Sequence, residues 1–321
     1  MRFLCIGNLA CDVIVKPLDK ATVQGRTLLK DVSLFAGGDA LNAAIDLATL
    51  GQKTCLIGRI GKDDFGAKIR SELTRHPSID IRHLKELEEI PTSTSVSTIM
   101  PDGERYAGYR AGANETLSLT DVPEEAIREA DHVHLGIAMR LNAMDGEGTC
   151  RLFQKAKELG KTTSMDLVVD LDGVWMRKIR DTLSHCDIFI PSDYEVREVC
   201  GLTDPLAMKE FFQPFGLSVF GVKMGAKGVF VTDYRQDIFM PSVAAKPPVD
   251  TLGAGDAFMA TFIAAYKNQL PLEIAVAMAS YASSFVIDEY GPTTGMREYE
   301  FLRHKALQHL EKLGSGPAAI R

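Results

Sequence analysis

A seven-residue run from Asp250 to Asp256, Asp-Thr-Leu-Gly-Ala-Gly-Asp, places a carboxylate beside residues with little or no side chain. The apolar spacing after it predicts a helix that begins at Asp256. Unpaired N–H groups at a helix N-terminus attract anions, so those of Gly253, Ala254 and Gly255 could hold a transferring phosphoryl group. Asp256 would then act as general base and accept a proton from the attacking hydroxyl. The alternative is that Asp256 only caps the helix.

Two more glycine-rich strings lie nearer the N-terminus. In Gly-Gly-Asp-Ala-Leu-Asn, which ends at Asn42, Gly38 lets the backbone approach a ligand closely. Asp39 stands just before a predicted helix, and Asn42 lies one turn into it. Helix capping alone could explain Asp39. In the second string, residues 58–66, the glycines are expected to fix turns and Asp63 to cap the next helix.

Together these strings resemble the signatures of the ribokinase, or PfkB, family of carbohydrate kinases. The run from Asp250 fills every fixed position of the family's Asp-Thr-x-Gly-Ala-Gly-Asp, and the others resemble its Gly-Gly-x-x-x-Asn and Gly-x-x-Gly-x-Asp-x-x-Gly segments. The resemblance runs from Leu4 to about Gly295. It implies ATP-dependent phosphorylation of a hydroxyl on a small sugar or sugar-like substrate, with Mg²⁺ and, in many members, a monovalent cation such as K⁺.

The fold expected is α/β. From about His132 onward, apolar runs alternate with helical patterns, which is typical of a parallel sheet. Two segments with alternating side chains, one holding the turn residues Pro101-Asp102-Gly103, indicate hairpins instead. The resemblance implies a ribokinase-like three-layer sandwich, with a mostly parallel central sheet flanked by helices, and a small β-sheet lid that often contributes to a homodimer. We expect the α/β domain over 1–11, 36–91 and 112–313, the lid over 12–35 and 92–111, and a flexible tail over 314–321.

Composition narrows the class of partner. The net charge is −7 and the pI about 5.6, with no cluster of Lys and Arg, so a nucleic-acid surface is not expected. No apolar run approaches the roughly 20 residues of a membrane helix. Six scattered cysteines without metal-ligand spacing indicate reduced core thiols and a cytoplasmic protein.

Substrate contacts are expected from polar residues around the first strand and the lid. Asn8 and Asp12 follow that strand, at the sheet edge where open α/β sheets bind ligands, and their alternative is a turn residue and a solvated carboxylate. The resemblance favours sugar binding by Asp12, Gly38, Asp39 and Asn42. Arg110, where the second lid segment returns, could reach an anionic group or remain solvated.

Nucleotide contacts are implied by resemblance alone. Lys-Met-Gly-Ala-Lys-Gly, from Lys223 to Gly228, resembles the family's Lys-x-Gly-x-x-Gly segment beside the ATP phosphates, so Lys223, Gly225 and Gly228 are candidates; an ordinary hairpin turn is the alternative. Ala282 and its neighbour Ser283 correspond to the adenine wall.

The metal contacts include a departure from the family pattern. The usual Asn-x-x-Glu has Ser192 at the Asn position, where a hydroxyl could partly replace the amide, and Glu195 is kept to order waters around Mg²⁺. A second departure lies at 166–170, where relatives show Asp-x-Asn-x-Arg and Asp170 stands in place of Arg. Asp250, Leu252 and Gly291 match the family's monovalent-cation positions.

Three alternatives stay open. The acceptor could be a nucleoside, or inositol or another polyol, because one scaffold serves all of them. The chain could also be a catalytically inactive nucleotide-binding member. A phosphorylated sugar is less expected, since such substrates need several basic residues and Arg110 is the obvious candidate.

Overall fold

A computed structural model describes residues 1–15, 29, 31–99 and 105–314. The turn predicted at 101–103 and the tail beyond Gly314 lie outside these residues. The strands are β1 (Arg2–Gly7), β2 (Ala10–Val15), β3 (Val32–Gly37), β4 (Lys53–Gly61), β5 (Ile79–Asp80), β6 (Leu84–Leu87), β7 (Ser93–Ile99), β8 (Arg105–Arg110), β9 (His132–Ala138), β10 (Thr162–Leu167), β11 (Ile188–Phe189), β12 (Val219–Lys223), β13 (Val229–Thr232) and β14 (Asp237–Met240). The helices are α1 (Asp39–Thr49), α2 (Asp64–Thr74), α3 (Glu124–Glu129), α4 (Glu147–Glu158), α5 (Met176–Leu183), α6 (Asp193–Cys200), α7 (Pro205–Phe212), α8 (Ala254–Lys267), α9 (Leu272–Val286) and α10 (Tyr299–Lys312).

Ten strands form the central sheet, in the order β14-β13-β12-β11-β10-β9-β1-β4-β5, with β6 also paired to β4. The pairs from β4 across to β12 are parallel, whereas the β12–β13 and β13–β14 pairs are antiparallel. β9 is buried along its whole length, as expected for a parallel strand covered on both faces, and its two polar residues, His132 and His134, form hydrogen bonds with Thr162 and Ser164. Their carboxyl ends meet at one edge, which is where the polar candidates gather.

Helices cover both faces of this sheet. Along β1 the side chains alternate between two cores: Phe3 and Cys5 pack with α1, α2, α8, α9 and α10, whereas Leu4 and Ile6 pack with α3 to α7. The predicted three-layer sandwich is therefore confirmed.

A separate four-stranded sheet has the order β3-β2-β7-β8. β2 and β3 pair antiparallel, as do β7 and β8, while β2 and β7 run parallel. The small second sheet predicted beside the sandwich is thus present, and its strands begin at Ala10 and end at Arg110. We refer to it as the lid.

Candidate active site

Helix α8 begins at Ala254, two residues before the predicted start, because Gly253 occupies the N-cap position with φ +77°. A side chain at Gly253 would overlap the carbonyl oxygen of Pro292, so the loop closes this tightly only around glycine. No side chain caps the helix. Among the described residues, the N–H groups of Gly253, Gly255 and Asp256 have no hydrogen-bond partner, so they are available to an anion.

Asp256 is the third residue of α8, and its carboxylate faces α1 rather than capping its own helix. Nδ2 of Asn42 donates a hydrogen bond to Oδ2 of Asp256 at 2.7 Å. Burial raises the pKa of Asp256 to about 7; the negative charge of Asp166 adds to this, while the Asn42 hydrogen bond and Lys223 oppose it. A carboxyl that titrates near neutrality is suited to general base catalysis.

Helix α1 also begins behind a glycine. Gly38 is its N-cap, with φ +101°, and a side chain there would lie 2.6 Å from the carbonyl oxygen of Asn8. Asp39 is the first residue of the helix, not the residue before it as predicted, and it caps nothing. Burial raises the pKa of Asp39 well above its usual range, and the nearby charge of Asp256 raises it further. The N-termini of α1 and α8 therefore meet in one acidic cleft.

Asn8, at the end of β1, is buried and held by two other side chains. Its Oδ1 accepts hydrogen bonds from Nδ2 of Asn114 and, at 3.4 Å, from the hydroxyl of Tyr109. Oδ1 of Asn114 in turn accepts from the backbone N–H of Leu9 at 3.2 Å. Neither Tyr109 nor Asn114 was predicted to lie near the site.

The lid presents four paired side chains to this cleft. Phe35, Asp12, Ser95 and Tyr109 lie directly opposite one another across the four strands, so they share one face. We call them the inner row. This face is turned to the site, because the charge of Asp12 contributes to the raised pKa of Asp256.

The opposite face of the lid carries a row of apolar side chains. Leu34, Val13 and Val96 pair across three strands, and we call them the outer row. Leu34 is 40% exposed and Val96 is 44% exposed. Alternation along each strand therefore separates a polar and aromatic row over the cleft from an apolar row on the outside.

Two arginines lie near the lid. The guanidinium of Arg110 donates to the carbonyl of Thr92 at 2.9 Å and the hydroxyl of Thr94 at 3.1 Å, so it is bound to the neighbouring strand. Arg140, which sequence reasoning missed, lies over the ring of Tyr109 at 5.1 Å from the centroid. Arg140 thus places a cation against the inner row.

On the other side of α8, Lys223 ends β12 and forms a buried salt bridge with Asp166 at 2.7 Å. A side chain on Gly255 would lie 3.2 Å from Nζ of Lys223, so this cation lies beside the start of α8. Burial alone would lower the pKa of Lys223, but the charges of Asp166 and Glu195 outweigh it and raise the pKa. Lys223 therefore remains positive within the cleft.

The loop after Lys223 is a tight turn. Gly225 has φ +55° and Gly228 has φ +101°, and a side chain on Gly228 would overlap the carbonyl oxygen of Met240. The turn is thereby closed against the end of β14.

Ser192 and Glu195 form a capping box at the start of α6. The N–H of Ser192 donates to Oε2 of Glu195 at 2.9 Å, and the N–H of Glu195 donates to Oγ of Ser192 at 3.4 Å. Burial raises the pKa of Glu195, and the charge of Asp166 raises it further. The departure from Asn to Ser thus supplies a favoured N-cap residue while keeping the carboxylate beside Lys223.

A model of the family described as pfkB family carbohydrate kinase matches residues 2–298. The chain belongs to the PfkB family of carbohydrate kinases. It is therefore an ATP-dependent phosphotransferase that acts on a hydroxyl of a sugar-like acceptor, as the three strings implied.

Similar proteins differ in the acceptor that their names state. The chain is 26% identical over 295 residues to the nucleoside kinase of Methanothermobacter thermautotrophicus, with 91% of each chain covered. It is 27% identical to the ATP-dependent ribose-1-phosphate kinase of Halopiger xanaduensis, covering 91% of this chain and 93% of the relative. An E. coli protein solved with ATP and Mg²⁺ superposes with a TM-score of 0.82 at 20% identity, covering 96% of this chain and 99% of that one.

Within this PfkB kinase, Asp250 joins two loops. Its carboxylate accepts from the N–H of Leu252 at 3.0 Å and from the N–H of Gly291 at 3.3 Å. Gly291 has φ +96° and contacts the ring of Phe35, so the same loop also meets the lid.

The predicted adenine wall is more deeply packed than expected. Ala282 is fully buried in the core, and Oγ of Ser283 donates to the carbonyl of Ala254 at 2.7 Å. A cavity of about 230 Å³ lies beside the same helix, lined by Tyr281, Ser284 and Phe285.

The position where the family carries Arg has a different role here. Asp170 accepts from the N–H groups of Val174 and Trp175, each at 2.7 Å, and binds Nζ of Lys178 at 2.7 Å. The carboxylate of Asp170 therefore orders the loop that contains it.

In the part of the chain that the structure describes, no helix is long and apolar enough to span a bilayer.

Proposed function

We propose that Asp256 is the general base of this kinase and that the N–H groups of Gly253, Ala254 and Gly255 stabilise the transferring phosphoryl group. The observation that carries this proposal is the placement of a carboxyl with a pKa near 7 beside the unpartnered N–H groups of Gly253 and Gly255. The N–H of Ala254 forms a long hydrogen bond of 3.4 Å with the carbonyl of Thr251, which it would exchange for the phosphoryl group. The base accepts the proton of the acceptor hydroxyl, and the N–H groups and Lys223 offset negative charge as it develops.

The residues present fit a nucleotide with Mg²⁺. When bound, ATP supplies the phosphoryl group and Mg²⁺ neutralises charge on its phosphates. Lys223, Gly225 and Gly228 are proposed to contact the nucleotide, and Glu195 with Ser192 to order the water around the metal. Over the described ranges, no group of three or more His, Cys, Asp or Glu could hold a metal, which suits an ion bound mainly by phosphates and water.

The acceptor is proposed to bind between the cleft and the inner row. Asn8, Asp12, Gly38, Asp39 and Asn42 surround this space and offer acceptors and donors for vicinal hydroxyls. A neutral sugar, polyol or nucleoside fits this set.

A second candidate is an acceptor that carries an anionic group. Arg140, over the ring of Tyr109, lies where it could meet such a group. Arg110 directly follows Tyr109 in β8, so it lies on the opposite face of the lid, where it is bound to Thr92. The ribose-1-phosphate kinase among the similar proteins makes a sugar phosphate worth testing.

Three further proposals concern the setting. A K⁺ ion would lie next to Asp250, Leu252 and Gly291, and replacing K⁺ by Na⁺ in the assay tests its effect.

The outer row would form a homodimer, because an apolar row of this exposure is suited to contact with a second copy of the chain. Leu34→Glu should then yield a monomer by light scattering. We also place the protein in the cytoplasm, where its six free cysteines stay reduced.

The function is tested by ADP release with a panel of neutral sugars, polyols, nucleosides and sugar phosphates. One acceptor class should raise ADP release far above the rate without acceptor. Asp256→Asn should reduce that rate by about 10³-fold or more while ATP still binds. A variant with near-normal turnover would remove Asp256 from the role of base. ATP binding without turnover on any acceptor would favour an inactive member.

A further inference from the structure

Beneath the catalytic carboxylate, two polar side chains of α1 are buried without partners. Asp46 is 0% exposed, and among the described residues neither of its carboxyl oxygens has a hydrogen-bond partner. Oδ1 of Asn42 is also buried and unpartnered, although Nδ2 of the same amide donates to Asp256. Groups of this kind rarely stay unpaired, because each loses its hydration on burial.

Asn42 and Asp46 are four residues apart on one helix. Side chains at this spacing lie on the same face about 5–6 Å apart at Cβ, and those of a helix lean towards its N-terminus. The carboxyl of Asp46 therefore leans towards the amide of Asn42. An ionised carboxylate and an amide oxygen are both acceptors and would repel each other, but a protonated carboxyl is a donor and would satisfy both.

We propose, on the basis of the kinase function above, that Asp46 is a positioning residue: its carboxylic acid O–H donates to Oδ1 of Asn42 and fixes the amide with its NH₂ group towards Asp256. With the amide reversed, Oδ1 of Asn42 would face the carboxylate of Asp256 and favour its protonated form. Asp46 thus donates to Asn42, and Asn42 donates to Asp256, so the ionised form of the base is stabilised.

The charges around Asp46 agree with a neutral acid. Burial raises the pKa of Asp46 well above its usual range, and the charge of Asp256 on α8 raises it further. Among the residues that the structure describes, the other ionisable group beside Asp46 is the Cys5 thiol of β1, whose pKa is also raised by burial. The groups that act on Asp256 itself are Asp12, Asp39, Asp166 and Lys223.

The test compares the pH dependence of kcat in wild type with that in the variants Asp46→Ala, Asp46→Asn and Asn42→Ala. Asp46→Ala removes the donor, so the midpoint should rise by roughly one pH unit, as expected for losing one hydrogen bond to a charged group. At pH 7 this is about a fivefold loss of kcat. Asp46→Asn keeps an N–H donor and should stay near wild type. Cys5→Ala, which shortens a fully buried side chain beside Asp46, is the control for a simple packing defect.

Two further measurements separate positioning from packing. Adding Asp46→Ala to Asn42→Ala should cause no further shift, because no amide remains to be oriented. The infrared difference between wild type and Asp46→Asn at pH 8 should show the carbonyl band of one protonated carboxyl. An unshifted midpoint in folded Asp46→Ala, a further shift in the double variant, or no such band would each overturn the proposal. Because the band does not depend on turnover, it still decides the role of Asp46 if the kinase assay fails.

Discussion

The two helix N-termini at the cleft of this kinase differ from those of α2 and α7. Helices α2 and α7 are capped by side chains: Asp63 accepts from the N–H of Gly66 at 2.8 Å, as predicted, and Asp204 accepts from the N–H of Ala207 at 2.9 Å. Helices α1 and α8, which meet at the cleft, begin behind glycines with positive φ and have no side-chain cap.

This difference separates stability from ligand binding. A capping side chain satisfies N–H groups that are otherwise unpaired, and its removal typically costs about 1 kcal/mol. At the cleft the same cap would occupy the groups that a phosphoryl group needs. Gly253 and Gly38 instead let the chain turn sharply against Pro292 and Asn8. Side-chain caps thus occur at α2, α6 and α7, whereas both helix N-termini at the cleft lack one, as α4 does behind Gly146.

Among the variants of helix N-termini, Gly253→Ala should cause the largest fall in kcat. The added methyl group would overlap the carbonyl oxygen of Pro292, so the loop that carries the N–H groups must move. We expect kcat to fall by about 10²–10³-fold, as when a donor to a developing anion is lost, with a lower melting temperature. Gly160→Ala is the matched control, because Gly160 also has positive φ but nothing within 4 Å. Equal kinetic effects of both variants would contradict the interpretation.

Asp256, in the first turn of α8, should make kcat depend on pH. Since the pKa of Asp256 is raised to about 7, kcat should rise roughly tenfold from pH 6 to pH 8 as the base loses its proton. The sign for stability is opposite. The folded pKa lies above the ordinary value of 3.8, so this group stabilises the fold most at low pH and loses that contribution as pH rises through 7. Asp256→Asn should flatten this part of the stability curve, measured by denaturant titration.

Asp204→Ala should have the smallest effect and only on the fold. It removes the cap of α7, which lies on the other face of the sheet from α8, so we expect a loss of about 1 kcal/mol in the free energy of unfolding. Asp204→Ser should restore most of it. The steady-state rate should stay unchanged in both, and a loss of kcat would show that capping and catalysis are not separate.

Much of the fold could be predicted because its signals are local, and the same holds for the two glycine strings at the cleft. Each string predicts a tight turn followed by a helix, and the structure has both turns, with Asn42 and Asp256 in the helices that follow. The exact helix starts were missed by up to two residues, since a glycine N-cap leaves no capping side chain to mark them.

Contacts between distant segments could not be predicted in this way. Lys223 and Asp166 are 57 residues apart, and their salt bridge follows from β12 and β10 ending at the same edge. Tyr109 and Arg140 meet only once the lid is folded over the cleft. Asp46 belongs to no motif, and a single acidic residue in an apolar helix face gives no sign of its partner.

The two rows of the lid set a limit on how this protein can change. Because neighbouring residues of a strand point to opposite faces, inserting or deleting one residue within β2 would carry Asp12 to the outside and bring an apolar side chain over the cleft. A substitution that keeps the length of the strand leaves every other side chain on its original face. Proteins that evolve from this sequence should therefore change their phosphoryl-acceptor substrate through substitutions within strands of constant length. Insertions and deletions should be confined to the turns.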